Sequence, residues 1–202
     1  MLERFRNKIN WLLEKLSYKF KDISPNKLTI LSFGFALAIL FTYYFSKTNY
    51  FFLLISALLI GLSGFFDAID GFIARLKKRE SKRGDFLDHI LDRYADFVLI
   101  VGLPLTGLCN WILALFAYIS VLLASYAGTQ AQALGLGRIY KGFLGRADRI
   151  VILFFALILQ FFFIHFKFLN LTILEITALI FIIFGNLTAF QRIFLSWKYL
   201  QR

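Results

Sequence analysis

The protein has 202 residues, of which 59% are hydrophobic and only 17% are charged, and its formal net charge is +11. A soluble domain of this size cannot cover so much apolar surface, so lipid must surround most of the chain. Basic loops beside anionic lipid headgroups account for the positive charge, and we therefore expect membrane lipids but no nucleic acid among the partners.

The first 24 residues predict a basic amphipathic helix lying on the membrane surface. Apolar residues recur at helical spacing from Leu2 to Phe20, with Lys and Arg between them. No apolar run follows these charges, so the segment does not resemble a cleavable signal peptide. Ser24-Pro25 is typical of an N-cap followed by a proline at the first helical position. We therefore divide the chain into a surface helix over 1–24 and a membrane domain over 25–202.

Long charge-free runs predict helices that cross the membrane, because a bilayer core needs roughly 20 apolar residues per helix. The segment 97–137 has no charge over 41 residues, which is enough for two crossings with a break near 102–110. These runs predict an all-α integral membrane protein with six transmembrane helices. The predicted spans are 28–46, 50–74, 84–106, 110–133, 148–167 and 171–193.

The basic residues are distributed unevenly between the two sides of the predicted membrane. Of the 23 Lys and Arg, seven precede the first span, six lie in 75–83, four in 138–149 and three in 192–202. Two fall on the opposite side, and Arg93 lies inside a span. Because cytoplasmic loops carry an excess of Lys and Arg, both termini and the two basic loops are predicted to face the cytoplasm, in a multi-pass protein of the cell membrane.

Aspartates line two neighbouring spans where water is scarce. Asp67 and Asp70 are three residues apart, so they share one face near the end of the second span. The third span carries an acidic stripe at spacings of three, four and four, made of Asp85, Asp88, Asp92 and Asp96. A charge at the bilayer centre costs on the order of 3 kcal/mol. Facing pairs of carboxylates therefore indicate a cation between them. The alternative, which stays open for Asp85, is a solvated helix end neutralised by Arg75 and Arg93.

The ligand type of this cluster indicates a hard cation, which means Mg²⁺, Mn²⁺ or Ca²⁺. Because Mg²⁺ bound by few carboxylates completes its shell with water and substrate phosphates, the pattern favours a diphosphate substrate. Small residues accompany the aspartates at Gly71, Ala74 and Gly84. They either let two helices approach closely or make a slot for a nucleotide, with Arg75 supplying charge to its phosphates.

The pattern Asp67-x2-Asp70-Gly71-x2-Ala74-Arg75-x8-Gly84-x3-Asp88-x3-Asp92 resembles the complete signature of the CDP-alcohol phosphotransferases. Members of this family transfer a phosphoalcohol group from a CDP-linked donor to an acceptor hydroxyl and release CMP. The six predicted spans, the surface helix and the Pro25-Asn26-x2-Thr29 segment are similar to the family as well, so the resemblance covers most of the chain.

The resemblance implies roles for these positions. Asp67, Asp70 and Asp88 are expected to hold one or two divalent ions, Mg²⁺ or Mn²⁺. Asp92 is expected to line the metal site and to act as general base on the acceptor hydroxyl. The residues expected to hold the cytidine and diphosphate are Gly71, Ala74, Arg75 and Gly84, with Asn26, Thr29 and Ser81 as further candidates. The resemblance also implies a CDP-linked lipid donor and a homodimer.

The resemblance implies that the group is transferred to a small polar alcohol or alcohol phosphate as acceptor. The run FLDHILDRYAD resembles the branch of phosphatidylinositol phosphate and archaetidylinositol phosphate synthases, which favours inositol phosphate. That branch usually carries arginines after the fourth span, where this chain has Gly128, Gln130 and Gln132. The candidates for an anion pocket, or alternatively for ordinary basic loop charge, are Arg138, Lys141, Arg146 and Arg149. Glycerol phosphate, serine or another alcohol as acceptor, or a soluble CDP-alcohol donor, fits the same chemistry.

Two other classes of membrane protein use intramembrane aspartates. Membrane prenyltransferases also set Asp-x2-Asp against a second aspartate motif to bind a metal diphosphate, but they usually have more helices and an Asn before the first motif, where Phe66 stands here. A divalent-cation transporter is the non-enzymatic alternative. Transporters commonly have inverted repeats, and the sequence shows none.

Overall fold

The computed structural model describes residues 20, 22–76, 81–137 and 142–201. Within these residues the chain is helical, and the one extended pairing is an isolated bridge between Phe168 and Leu171, so the predicted all-α class is confirmed there. Six α-helices follow one another, with a short 3₁₀ helix at Leu103–Thr106 between the third and fourth. Their bounds are α1 Pro25–Phe45, α2 Phe51–Leu76, α3 Lys82–Val101, α4 Trp111–Ala133, α5 Arg146–Phe162 and α6 Ile173–Leu200.

Four of these helices, α1, α2, α4 and α6, are long and apolar enough to cross a bilayer. The aspartates, lysine and arginines of α3 lower its mean hydropathy. The helix α5 has only 17 residues. The protein is therefore a multi-pass membrane protein, and the count of six spans stays a prediction. The predicted surface helix over 1–24 falls almost entirely outside the described residues.

The helix boundaries follow local sequence signals in most places. As expected, α1 begins at Pro25 with Ser24 at the N-cap position, although the Ser24 side chain makes no capping hydrogen bond. Gly107 ends the 3₁₀ helix with a φ of 75°, and Asn110 Oδ1 then accepts a hydrogen bond from the Ile112 backbone at 2.8 Å. The last helix continues to Leu200, beyond the predicted end at 193.

Small and hydroxylated residues allow the helices to pack closely, as is usual in membranes. Between α1 and α2, Ser32 Oγ donates to the Ser63 carbonyl at 2.8 Å, and the hydroxyls of Thr42 and Ser56 lie 2.7 Å apart. Between α4 and α6, Asn186 Nδ2 donates to Ser120 Oγ at 2.8 Å. These interhelical hydrogen bonds satisfy polar groups that water cannot reach.

The arrangement of α1, α2, α3 and α5 creates the space for a site. In the described part of the chain, α1 packs against both α2 and α3, whereas α2 and α3 make little backbone contact with each other. On its other side α2 packs against α5, where a Cβ on Gly64 would lie 2.8 Å from Ile150 Cγ2. A gap lined by α2, α3 and the first turn of α5 results, and side chains fill it.

Candidate active site

The two aspartate pairs predicted to face each other do meet across the gap between α2 and α3. Asp67, Asp70 and Asp88 each offer a carboxylate oxygen, and the three oxygens lie within 4.8 Å of one another. A second group, with the same mutual distance, consists of Asp88, His89 and Asp92. Asp88 therefore belongs to both groups, and the five side chains form one continuous set of metal-ligating atoms.

The chemistry of this set fits a divalent cation. Asp70 is only 5% exposed, and its Oδ2 atom has no hydrogen-bond partner among the described residues. A buried carboxylate oxygen without a partner is costly, and a cation is the ligand that removes the cost. The donors around Asp70 are all oxygen, which suits a hard ion such as Mg²⁺ or Mn²⁺. The carboxylate cluster therefore supports the expectation of a divalent ion.

Arg146, at the start of α5, reaches across the gap to the aspartates of both other helices. Its Nη1 atom lies 2.8 Å from Asp67 Oδ1 and also contacts Asp92 Oδ1. The partner of Asp67 is therefore Arg146 and not Arg75, the basic residue on its own helix. A divalent cation would compete with this guanidinium for the same carboxylate oxygens.

A polar cavity of about 210 Å³ opens on the Asp92 side of Arg146. Four guanidinium groups lie in its wall, together with His89, Asp92 and small or hydroxylated residues of α4 and α5. The arginines are Arg93, Arg146, Arg149 and Arg192. Four cations around so small a volume favour an anionic occupant, for which guanidinium groups are well suited.

Two of these arginines are held by contacts to neighbouring helices. Arg149 is 4% exposed and donates from Nη2 to Asp96 Oδ2 at 2.7 Å, while its Nε has no partner among the described residues. Arg192, on α6, donates from Nη1 to the Ala124 carbonyl of α4 at 2.7 Å. The contact between α5 and α3 therefore positions Arg149, and the contact between α6 and α4 positions Arg192.

A larger groove of about 940 Å³ lies on the opposite side of Arg146, between α2 and α5. Its wall is mainly apolar and includes small residues at Gly61, Gly64 and Ala68 and aromatic residues at Phe154 and Phe155. Its polar end is formed by Asp67, Arg75 and Arg146. The groove thus joins an apolar, lipid-sized space to the carboxylates.

The predicted nucleotide residues fall into two neighbourhoods. A Cβ on Gly71 would meet no atom within 4 Å, so the helix surface beside Asp70 is open there. A Cβ on Gly84 would lie 3.1 Å from Ser81 Oγ and 3.2 Å from Asn26 Oδ1. The ends of α1 and α3 therefore meet at Gly84, where Ser81 caps α3 by accepting a hydrogen bond from the Gly84 backbone at 3.0 Å.

The other nucleotide candidates lie around these two glycines. Thr29 is buried, donates to the Pro25 carbonyl at 3.1 Å and borders a small space shared with Asp67 and Asp92. Ala74 is half-buried, and the exposed Arg75 lies over the Phe72 ring at 5.2 Å.

The chain is similar to known proteins over most of its length. A family model, CDP-alcohol phosphatidyltransferase, matches residues 22–194. Archaetidylinositol phosphate synthase of Pyrococcus horikoshii is 33% identical over 158 residues, covering 77% of this chain and 81% of the relative. The enzyme of the same description from Methanothermobacter thermautotrophicus is 35% identical over 149 residues, covering 74% and 73%.

The chain belongs to the CDP-alcohol phosphatidyltransferase family. It is accordingly an enzyme, a phosphotransferase of substituted phosphate groups. The two alternatives that the sequence left open, a cation transporter and a prenyltransferase, are both wrong.

The fold agrees with this family. Mycobacterium tuberculosis phosphatidylinositol phosphate synthase with CDP-DAG bound gives a TM-score of 0.73 at 21% identity, over 92% of this chain and 93% of that chain. Its complex with manganese and citrate gives a TM-score of 0.72 at 22% identity, over 92% and 88%.

The acceptor candidates of this CDP-alcohol phosphatidyltransferase are only partly brought together. Arg146 and Arg149 line the polar cavity, whereas Arg138 and Lys141 lie outside the described residues. Gly128 lines the same cavity, and Gln130 lies in an apolar groove between α4 and α6. The arginines that line the polar cavity therefore come from α3, α5 and α6, and not from α4, where the synthase branch usually carries them.

Sequence reasoning missed Arg192, His89 and Arg93 as cavity residues. From the sequence, Arg192 is counted only among the cytoplasmic basic residues of 192–202, although it lies within α6, which continues to Leu200. An arginine inside an otherwise apolar helix is the signal that identifies it, because ionisable residues within membrane helices mark functional sites.

Proposed function

We propose that this enzyme transfers a phosphatidyl-type group, diacylglycerol phosphate or archaeol phosphate, from a CDP-linked lipid to inositol phosphate and releases CMP. The observation that carries the proposal is the meeting of two different spaces at Arg146. An apolar, lipid-sized groove lies on one side and an arginine-lined polar cavity on the other. The names of the archaeal relatives support this substrate pair.

In the proposed reaction, Asp67, Asp70 and Asp88 hold one or two Mg²⁺ or Mn²⁺ ions, and Asp92 lines the same site. When bound, a divalent ion supplies positive charge to the diphosphate oxygens and stabilises the charge of the leaving CMP. The open helix surface at Gly71 leaves room for the nucleotide, and Gly84 lets the first turns of α1 and α3 approach each other. The remaining donor contacts are assigned to Ala74, Arg75, Asn26, Thr29 and Ser81.

Asp92 is proposed as the general base. Its side chain is 5% exposed, lies in the wall of the polar cavity and belongs to the carboxylate cluster. An acceptor hydroxyl in this cavity transfers its proton to Asp92 as its oxygen bonds to the phosphorus that bears the lipid. The bond from that phosphorus to the CMP oxygen breaks, and CMP leaves. General base catalysis of this kind contributes about 10²- to 10⁴-fold to the rate.

The arginines of the polar cavity favour an acceptor that carries a phosphate. Serine or free inositol brings no phosphate, so it offers these guanidinium groups no charged acceptor beyond the aspartates that already pair with Arg93, Arg146 and Arg149. Inositol phosphate and glycerol phosphate both supply an anion that can accept paired hydrogen bonds from Arg149, Arg146 and Arg192. The relatives favour the first of these two phosphates.

The proposed orientation has both termini and the active site on the cytoplasmic side, which the distribution of Lys and Arg supports. Water-soluble inositol phosphate then enters the polar cavity from the cytoplasm, and the lipid donor enters through the apolar groove from the bilayer. The homodimer implied by the family resemblance stays a prediction.

The test is an acceptor panel with purified protein. Labelled CDP-lipid and Mg²⁺ or Mn²⁺ are incubated with inositol phosphate, glycerol phosphate, inositol or serine, and CMP release is measured. We expect rapid release with inositol phosphate and a requirement for the divalent ion. Release with serine or inositol at an equal or higher rate would contradict the proposed role of the arginine cavity.

A further inference from the structure

Asp96 is the deepest aspartate of the α3 stripe, one helical turn past Asp92. It is 4% exposed, yet it belongs to neither of the carboxylate groups that could hold a metal in the described part of the chain. The eight-residue signature that runs from Asp67 ends at Asp92, so Asp96 lies outside it. Burying a charge inside a membrane helix costs free energy, so the Asp96 carboxylate needs partners of opposite charge.

The partners of Asp96 are two arginines of the polar cavity. Its Oδ2 atom accepts the hydrogen bond from Arg149 Nη2 at 2.7 Å and lies 3.8 Å from Arg93 Nη2. The contact with Arg149 joins α3 to α5, and the side chains of both residues are 5% exposed. This short, buried and charge-assisted bond fixes the plane of the Arg149 guanidinium.

A second donor of Arg149 has no partner among the described residues. Its Nε is buried and makes no hydrogen bond to the described residues, although the side chain lines the polar cavity. A guanidinium held at one nitrogen by Asp96, with another donor left unpaired, is arranged to bind a further acceptor atom. Without Asp96, the same side chain has three or more rotatable bonds to order when the anion binds, which weakens binding.

We propose that Asp96 is a positioning residue that orients Arg149 toward the phosphate of the acceptor. The inference rests on the proposed function, since it assigns Asp96 to acceptor affinity. The proposal gives the α3 aspartates two different roles. Asp88 and Asp92 belong to the metal and the reacting hydroxyl, whereas Asp96 acts on the acceptor through Arg149.

The test is a double-variant cycle on the purified full-length enzyme. KM for inositol phosphate and KM for CDP-lipid are measured for the unmodified enzyme, Asp96→Asn, Arg149→Met and the double variant. We expect Asp96→Asn to raise KM for inositol phosphate by roughly ten- to a hundredfold, as loss of a charge-assisted hydrogen bond does, with little change in KM for CDP-lipid. In the Arg149→Met background, Asp96→Asn should add less than about twofold, because its target is gone.

Controls separate positioning from folding. Asp22→Asn removes an exposed carboxylate outside the site and should leave both KM values unchanged. If Asp96→Asn fails to fold, Asp96→Leu with Arg149→Met replaces the buried pair by apolar side chains. This variant should fold, bind CDP-lipid normally and show the same raised KM for inositol phosphate as Arg149→Met alone.

Three results would overturn the inference. They are an unchanged KM for inositol phosphate in folded Asp96→Asn, an equal rise in both KM values, or full additivity of the two substitutions. If the unmodified enzyme uses donor and metal but prefers an acceptor without phosphate, the proposed function itself fails. That outcome is distinguishable, because it is seen before any variant is made.

Discussion

Gly71 offers a substitution whose effects on stability and on nucleotide binding should have opposite signs. A Cβ at this position meets no atom within 4 Å, so Gly71→Ala creates no clash within the protein. Alanine is favoured over glycine in a helix interior by about 0.5–1 kcal/mol. For a protein of this length, about 1 kcal/mol shifts Tm by roughly 2–4 °C. We therefore expect Tm to stay the same or rise by a few degrees.

The same methyl group should weaken binding of the donor nucleotide. If the open surface at Gly71 is the cytidine slot, an added methyl overfills it at a cost of about 1–3 kcal/mol, which is roughly 5- to 150-fold in Kd. The assay is calorimetric titration of cytidine diphosphate in Mn²⁺, combined with thermal unfolding. Gly34→Ala is the matched control, because a Cβ on this α1 glycine also meets nothing within 4 Å. It should share the stability gain and keep the Kd.

The reasoning is refuted if Gly71→Ala binds cytidine diphosphate as tightly as Gly34→Ala does. A fall in Tm for Gly71→Ala alone would contradict the open space at this position. A loss of both stability and binding would mean that Gly71 acts through packing, which was the structural alternative to a nucleotide slot.

Three further substitutions test separate parts of the site. Asp92→Asn should keep metal-dependent nucleotide binding but lower kcat by about 10²- to 10⁴-fold, because a carboxamide cannot take the proton; single-turnover CMP release measures this. Asp67→Asn should weaken Mn²⁺-dependent binding of cytidine diphosphate, seen by calorimetry, since it removes one carboxylate of the metal cluster. Arg192→Met should raise KM for inositol phosphate by roughly tenfold or more, because a charge-assisted hydrogen bond to the anion is lost, while KM for CDP-lipid stays the same in steady-state assays.

Matched controls make these results specific. Asp22→Asn, an exposed carboxylate outside the site, serves for both aspartate variants, and Lys198→Met, an exposed cation on the same helix, serves for Arg192→Met. Normal turnover by Asp92→Asn would remove Asp92 from the role of base. Unchanged Mn²⁺ dependence in Asp67→Asn would remove that residue from the metal cluster, and an equal effect of Lys198→Met would reduce Arg192 to general surface charge.

The sequence predicts the helices and the carboxylate cluster well because both depend on local spacing. Apolar runs locate the helices to within a few residues in most places, and aspartates three or four apart must share a face. The facing of α2 and α3 also follows, since buried carboxylates on neighbouring helices need a shared cation. The departures occur where a local signal competes with tertiary contacts. Ser24 occupies the cap position without the side-chain hydrogen bond, and α6 continues to Leu200, past its predicted end at residue 193.

The polar cavity could not be predicted in the same way because its residues come from four different helices. Arg192 reaches the cavity only because α4 and α6 pack closely enough for it to bond the Ala124 carbonyl. Arg146 contacts Asp67 and Asp92 across sequence separations of 79 and 54 residues, beyond any local pattern. Basic residues near span ends also have an ordinary explanation in membrane topology, which conceals the few that bind substrate.

The most direct test of the proposed function is the mass of the lipid product. The purified enzyme is incubated with CDP-lipid, Mg²⁺ or Mn²⁺ and equal concentrations of inositol phosphate and inositol, and the extracted lipid is analysed by mass spectrometry. We predict a lipid that carries two phosphates, one from the donor and one from the acceptor. A product with a single phosphate, formed from inositol in preference to inositol phosphate, would contradict the assignment of the arginine cavity to a phosphorylated acceptor.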